Sequence, residues 1–413
     1  MLVVAFHQVQ QLVLQATGFG KDVEVTAESV SEMLQAAKEI LEVNADMSFI
    51  AWCTQLQGTL ALATGEVEEA ISFGEATIAA FEELQNGFGV AQGQYILGSA
   101  FIWQRKWEEG DELLRIALAS YHKYSFRQGV AITHRILGMS CVLQWKLEDA
   151  IKEHTIAAET FEGMGDVAEA AMSMRHCSHV YVSMGQPLDA IRILFDVISS
   201  YELLGDKLRC AGCLLELGNW LDSVGLFQES LEQHLLGLQL CEDLNLEQAV
   251  AFFKCGAAGS LCKLAYSDPS DVNFEAGQEA DRLLREVLLV FEHVDHLDPT
   301  LTVLTSPNPF GLTLEELRAG LKRDLAAAWM VSGREASESI KLAEEALAEF
   351  TDLDDKMEIA TCKVILADIM VHDDDTRTQA MASMEEALTI LKELELPKGS
   401  FVLELEEYHT RAT

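Results

Sequence analysis

Apolar side chains follow a helical spacing along most of this chain. Between Leu147 and Phe161, apolar residues fall on one side of a helix and acidic residues fill the opposite side. A half-buried strand would instead alternate apolar and polar residues. Short links that carry glycine and aspartate, such as Gly165-Asp166, follow these segments and suit the ends and starts of helices. The pattern therefore predicts a succession of helix, turn, helix and turn.

This helical pattern repeats every 40 residues over the first two thirds of the chain. A first column of small residues holds Gly18, Gly58, Gly98, Gly138, Ser178, Gly218 and Ala258. A second column, twelve residues later, holds Val30, Ala70, Gly110, Ala150, Ala190 and Ser230. A third column, eleven residues further on, holds Leu41, Phe81, Tyr121, Phe161, Tyr201 and Cys241. A fixed period indicates one supersecondary unit that stacks many times, because a single unit cannot bury its apolar face.

The order of these columns resembles the tetratricopeptide repeat. Leu97-Gly98 with Gly110, and Leu137-Gly138 with Ala150, carry the resemblance, while the usual early tryptophan and closing proline are absent. The commoner unit has about 34 residues, so the longer unit is similar to the subclass found in Pins/LGN adaptors and kinesin light chains. The resemblance implies an all-α, right-handed superhelical solenoid. The repeats predict about eight or nine antiparallel helix pairs.

The register breaks after residue 258 and then returns. We predict regular repeats over residues 1–265, an irregular stretch with proline-containing loops over 266–313, and further repeats with a cap over 314–413, all in one continuous solenoid. Four of the chain's six prolines lie in the irregular stretch, at Pro269, Pro299, Pro307 and Pro309. The segment before Gly18 is short for a first helix, and we expect it to be the edge of a longer chain.

The balance of charge narrows the choice of partner. The chain has 67 acidic against 29 basic residues and a net charge of −38. A nucleic acid or an anionic membrane surface needs clustered lysine and arginine, so neither is an expected partner. The acidic residues are interpreted as a solvated surface, with attraction to a basic partner as the alternative.

The cysteines and the hydropathy pattern indicate where the protein works. Nine cysteines are spread singly along apolar faces, which fits a reducing compartment better than a disulfide framework. Neither a membrane span nor a basic signal-peptide start is evident, so no membrane insertion is expected. We predict a cytoplasmic protein, with an organelle interior as the alternative.

Candidate catalytic and metal motifs are weak. Cys210 and Cys213 have the spacing of a redox pair, with two residues between them, but they fall inside a predicted helix. They are interpreted as small core residues. His176 and His179 lie one helical turn apart, but a zinc site needs at least one further ligand. No phosphate loop, nucleophile elbow or dinucleotide fingerprint is present. We predict a protein that is not an enzyme, with no cofactor and no resident metal.

The position in the repeat selects the candidate binding residues. In the repeats that this chain resembles, the first helix of each pair lines a concave groove, and fixed positions around the small residue point into it. The resemblance assigns to this groove, and so to a partner, Tyr95, Ser99, Arg135, Met139, Arg175, His179, Asn219 and Asp222. It implies a scaffold or adaptor that binds a protein or peptide segment. The alternatives are a permanent subunit of a large assembly and a peptide-responsive regulator.

Arg135 and Arg175 occupy the same position in consecutive repeats. Two guanidiniums along the groove would form a positive strip that holds the carboxylates of a partner with acidic and apolar side chains. In the other interpretation, each arginine pairs with an acidic residue of a neighbouring repeat and covers apolar surface with its stem.

Overall fold

A computed structural model describes residues 34–35, 47–266, 272–298, 301, 313–371 and 376–394. All secondary-structure elements within these ranges are α-helices, which confirms the predicted all-α class. The predicted unit from Gly18 to Leu41 lies outside the described residues, apart from Leu34 and Gln35. Pro299, Pro307 and Pro309 lie outside them as well.

The chain forms two compact units, one up to Met184 and one from Gly185 onward. The helices of the first unit are α1 (Met47–Thr64), α2 (Val67–Glu83), α3 (Gly87–Trp103), α4 (Trp107–Lys123), α5 (Arg127–Leu143), α6 (Leu147–Glu162) and α7 (Val167–Ser183). Those of the second unit are α8 (Pro187–Leu204), α9 (Lys207–Ser223), α10 (Phe227–Asp243), α11 (Glu247–Ala265), α12 (Phe274–Glu292), α13 (Leu314–Ser332), α14 (Ala336–Asp352), α15 (Lys356–Met370) and α16 (Arg377–Glu393). Within each unit, every helix packs mainly on the helices before and after it.

The residue columns explain this packing. Gly98 on α3 faces Gly110 and Leu114 on α4, and a Cβ added at Gly98 would lie 3.0 Å from the Gly110 carbonyl oxygen. Small residues at this crossing let the two helix backbones approach closely. The third column fills the space beyond the crossing, where Phe81 and Phe161 are 0% and 1% exposed. The columns that predicted the repeat are therefore the contacts that hold each helix pair together.

The later repeats keep the same arrangement. Ala280 and Phe291 are fully buried on α12, which falls inside the stretch predicted to be irregular. Ser339 and Phe350 occupy the equivalent buried positions on α14. The division at residues 265 and 313 stays a prediction.

The turns between helices use the residues that the sequence pattern indicated. Gly165 and Gly205 have positive φ angles of 80° and 67°, in the left-handed region that glycine adopts readily. The side chains of Asp166 and Asp206 then accept hydrogen bonds from the backbone amides of Glu169 and Arg209. Each aspartate satisfies an otherwise unpaired donor at the start of a helix.

One turn position carries glycine in some repeats and a larger residue in others. Gly65, Gly185 and Gly225 are equivalent in the repeat and have φ between 72° and 80°, but the same position holds Arg105 after α3 and Trp145 after α5, with φ of 62° and 58°. A bulky side chain at positive φ costs roughly 1 kcal/mol. The Trp145 side chain is also 64% exposed, so core packing does not offset that cost.

We expect Trp145→Gly to raise the free energy of unfolding by about 0.5 to 1 kcal/mol, because it relieves the left-handed strain. Chemical denaturation followed by circular dichroism measures this change. Gly65→Ala is the matched control at the equivalent turn, where a Cβ meets no atom within 4 Å; it should destabilise by a similar amount. A Trp145→Gly variant less stable than the parent would contradict the strain argument.

Candidate functional site

The candidate residues of the first unit lie on its first helices. Tyr95 and Ser99 are on α3, Arg135 and Met139 are on α5, and Arg175 and His179 are on α7. We call these six residues and the surface they share the first-helix face.

An ion pair lies at the middle of the first-helix face. Nη1 of Arg135 donates to Oε2 of Glu169 at 2.5 Å, and the two side chains are 11% and 10% exposed. The Arg135 guanidinium also lies over the ring of Phe161, 5.5 Å from its centroid. Glu169 belongs to α7, so the pair links two consecutive repeats. A carboxylate and a guanidinium that are withdrawn from water interact more strongly than an exposed pair.

Glu169 was not among the residues predicted from the sequence. Gly89 and Gly129 precede it at intervals of 40 residues. A Cβ at Gly89 would lie 2.2 Å from the ring of Phe81, and one at Gly129 would lie 2.9 Å from the ring of Tyr121. The two repeats that follow hold Arg209 and Ala249 at this position, so the repeat also accommodates side chains there. The register alone therefore does not single out Glu169.

Tyr95 and Ser99 are close to this ion pair. Burial raises the pKa of the Tyr95 phenol, and the nearby positive charge of Arg135 opposes that rise. Ser99 is only 2% exposed. The structure thus brings Tyr95, Ser99 and Arg135 together, as the repeat register predicts.

Arg175 differs from the expectation of an accessible positive strip. Its side chain is among the largest fully buried ones, with 1% exposure, whereas Met139 and His179 are half-buried. Arg135, in turn, pairs with Glu169. The sequence left two interpretations for Arg135, an open groove residue or a partner of an acidic residue in a neighbouring repeat. The structure shows the ion pair with an acidic residue of the next repeat. The role of these residues in partner binding stays a prediction.

Two histidines of α6 and α7 contact each other, His154 fully buried and His176 half-buried. The rings of His154 on α6 and His176 on α7 are 5.1 Å apart in an edge-to-face arrangement. Burial, together with the positive charge of Arg135, lowers the pKa of His154 to about 3. Burial also places the pKa of His176 well below its usual value. Nδ1 of each ring is buried without a hydrogen-bond partner. Both rings are therefore neutral at physiological pH.

Asn219 and Asp222 belong to α9 in the second unit. Asn219 is exposed. Asp222 accepts hydrogen bonds from Oγ of Ser260 at 3.1 Å and from Nζ of Lys263 at 2.9 Å. These contacts tie α9 to α11 and occupy the carboxylate.

The remaining chemical candidates are buried or dispersed. None of the nine cysteines is in a disulfide, all of them lying within the described ranges, and burial raises the pKa of Cys210 to about 11. Over the described ranges, no group of three or more histidine, cysteine, aspartate or glutamate side chains is arranged to hold a metal ion. None of the helices built from those residues is long and apolar enough to cross a bilayer.

The stacked helix pairs, the small-residue columns and the buried aromatic column define a helical-repeat protein with the tetratricopeptide-like fold. No family model and no curated protein matches the chain.

Solved structures agree on the fold. A signal transduction ATPase with numerous domains and a tetratricopeptide repeat sensor, from Pyrococcus horikoshii, matches all of this chain with a TM-score of 0.61 and 11% identity. This chain spans 55% of that protein. The apo quorum sensor NprR from B. thuringiensis has a TM-score of 0.59 and 13% identity over 94% of this chain and 97% of its own. Apo RapI has a TM-score of 0.54 and 13% identity over 100% of this chain and 96% of its own. These likenesses confirm the predicted tetratricopeptide-like fold.

Proposed function

We propose that this chain is a protein-interaction scaffold or adaptor that holds a segment of a partner protein against the first-helix face. The observation that carries the proposal is the partly buried Arg135–Glu169 pair, which stands where the repeat register expects a binding residue. The preferred partner segment carries acidic and apolar side chains.

The pair leaves Arg135 able to bind a second carboxylate. A guanidinium has five N–H donors in a planar fork, and one oxygen of Glu169 occupies only part of that fork. Tyr95 and Met139 stand on the same face and offer apolar contact area beside the charge. A charge-assisted hydrogen bond contributes about 1.5 to 3 kcal/mol in such a setting.

A peptide-responsive regulator is the second candidate, and the same ion pair favours it. The pair joins α5 to α7, so a partner carboxylate that displaces Glu169 would weaken a link between consecutive repeats. A ligand shifts a conformational equilibrium only through different affinities for the two states, and the displacement of Glu169 by a partner carboxylate supplies such a difference. Two of the similar solved structures are a repeat sensor and a quorum sensor.

A permanent subunit of a large assembly is the alternative function. Such a subunit would be held by surfaces other than the first-helix face.

The main test is a double variant that removes both charges of the pair, so that neither is left buried without its partner. We expect the double variant Arg135→Gln, Glu169→Gln to bind an acidic partner about tenfold more weakly or worse, because the guanidinium is gone. Such a loss is equivalent to about 1.4 kcal/mol or more of binding free energy. Glu169→Gln alone should bind at least as tightly as the parent, since it frees the guanidinium. Affinity capture from native extract at two salt concentrations finds the partner, and titration of the purified partner gives Kd.

Arg115→Ala on α4 is the matched control, because that arginine is exposed and away from the first-helix face. Circular dichroism checks that each variant remains helical. Unchanged binding by the double variant would refute the proposal. A stoichiometric set of partners indifferent to salt and to both substitutions would indicate the permanent subunit instead.

A further inference from the structure

Helix α8 exposes a row of large apolar side chains. Leu188, Phe195 and Leu203 are 68%, 49% and 90% exposed. Their spacings of seven and eight residues place them on one side of the helix. The row spans about 22 Å at 1.5 Å per residue.

The opposite side of α8 is also apolar, and it already packs in the core. The residues buried there are Ala190, Ile191, Leu194, Val197, Ile198 and Tyr201. A helix that is apolar on both sides is typical of one covered on both sides. Within the second unit, the other described helices cover only one of these two sides.

The repeat fold does not require the exposed row. The equivalent positions of the other second helices are mostly polar. They hold Glu68, Glu75 and Glu83 on α2, Glu108, Arg115 and Lys123 on α4, and Glu148, Thr155 and Gly163 on and directly after α6. On α10 they hold Gln228, Leu235 and Asp243. The apolar row is therefore specific to α8, with one continuation at Leu235.

The polar groups within the row are already occupied inside the helix. Nη2 of Arg192 lies 3.2 Å from a carboxylate oxygen of Asp189. Oγ of Ser199 donates to the carbonyl oxygen of Phe195 at 3.0 Å. The row thus offers apolar contact area in place of free hydrogen-bond donors.

Helix α10 carries further exposed apolar side chains and several acidic residues. Leu235 and Leu236 are 49% and 45% exposed, and α8 and α10 both pack on α9. The two helices carry seven acidic residues against one arginine. The acidic residues are Asp189, Asp196, Glu202, Glu229, Glu232, Glu242 and Asp243. An apolar row within an acidic surface favours an occupant that is apolar in the centre and cationic at its edges.

We infer that the exposed faces of α8 and α10 form a second docking surface, which binds an amphipathic helix of a partner protein with apolar residues on one side and lysine or arginine beside them. A helix laid along α8 would bury its apolar side on Leu188, Phe195 and Leu203 and place its cations against the acidic rim. A second copy of this chain fits less well. Pairing of two such surfaces would bring two acidic rims together, and the net charge of −38 adds to the repulsion.

The test uses a labelled helical peptide of about 18 residues, enough to span the row, with leucines on one side and lysines elsewhere. We expect the full chain to bind it, and Phe195→Ser with Leu203→Ser to weaken binding about tenfold. Asp196→Asn with Glu202→Gln should weaken binding severalfold and reduce its salt dependence. Leu289→Ser is the matched control, since Leu289 is 59% exposed on α12 of the same unit and its loss should leave Kd unchanged.

Three results would overturn the inference. The first is equal binding by the parent and the Phe195→Ser, Leu203→Ser variant. The second is equal binding of a peptide with the same leucines but glutamates for lysines. The third is a parent chain that is dimeric by light scattering and becomes monomeric in that variant, which would assign the surface to self-association. The substituted side chains are exposed, so circular dichroism should show the same helicity for every variant.

Discussion

Gly277→Ala is expected to lower the free energy of unfolding by about 3 kcal/mol. Gly277 lies on α12, and a Cβ there would stand 2.3 Å from the carbonyl oxygen and 2.6 Å from the carbonyl carbon of Val331 on α13. Both atoms belong to helix backbone, so no side-chain rotation relieves the clash and the two helices must separate. Overpacking of this kind costs about 1 to 3 kcal/mol and occasionally more. Urea denaturation followed by circular dichroism measures the loss.

Gly259→Ala is the control for the same substitution in the same unit. Gly259 lies within α11, and a Cβ there meets no atom within 4 Å. Alanine is favoured over glycine inside a helix by about 1 kcal/mol, so this variant should gain stability. Equal stabilities for the two variants would contradict the close approach of α12 and α13.

His154→Leu is expected to stabilise the protein and to flatten its dependence on pH. His154 is 1% exposed with a pKa lowered to about 3, against 6.5 for an ordinary imidazole. Because the pKa of His154 is lower in the folded state, the unfolded state binds a proton between these two pH values and the folded state does not. Stability is therefore retained above pH 6.5 and is lost as the pH falls toward 3. Between these two pH values, each such histidine lowers the free energy of unfolding by about 1.4 kcal/mol per pH unit of acidification.

Leucine is a native choice for this position. The repeat register places Leu114 and Leu194 at the equivalent sites, both 0% exposed. Leu114 faces Gly98 as His154 faces Gly138. At pH 7, the variant should gain about 1 kcal/mol, since it removes a buried nitrogen without a hydrogen-bond partner. At pH 4.5, the gain should grow to about 3 to 4 kcal/mol.

Denaturation curves at several values between pH 7 and pH 4.5 test this expectation. The exposed His122 supplies the matched control for the same substitution, made outside the core. The variant still contains His234, whose pKa burial lowers to about 4, and His176, whose pKa burial also lowers, so its stability should depend on pH less steeply than that of the parent but still measurably. An identical slope for His154→Leu and the parent would mean that His154 is hydrated or charged in the folded protein.

The fold was accessible from the sequence because its contacts are local and repeated. Gly98, Gly110 and Tyr121 make the same helix crossing as Gly138, Ala150 and Phe161, so each column appears many times and its period stands out. Helix starts were accessible for the same reason, since an N-cap such as Asp166 acts on an amide three residues away.

The candidate site could be predicted from the sequence only in part. The register placed Tyr95, Ser99 and Arg135 on one face, but it gave no reason to join Arg135 to Glu169, 34 residues later. That contact depends on how α5 and α7 approach each other. The burial of Arg175 likewise depends on its surroundings, because the repeat register gives Arg135 and Arg175 the same position.

The sequence by itself determined the helices, their pairing and the small-residue crossings, because these arise from propensity and from contacts that recur every 40 residues. Only the tertiary structure decided which charges are paired, which histidines are neutral and which apolar row remains exposed on α8. The physical reason is that pairing, desolvation and exposure depend on the distances between side chains of different repeats. A one-dimensional pattern of residue types does not contain those distances.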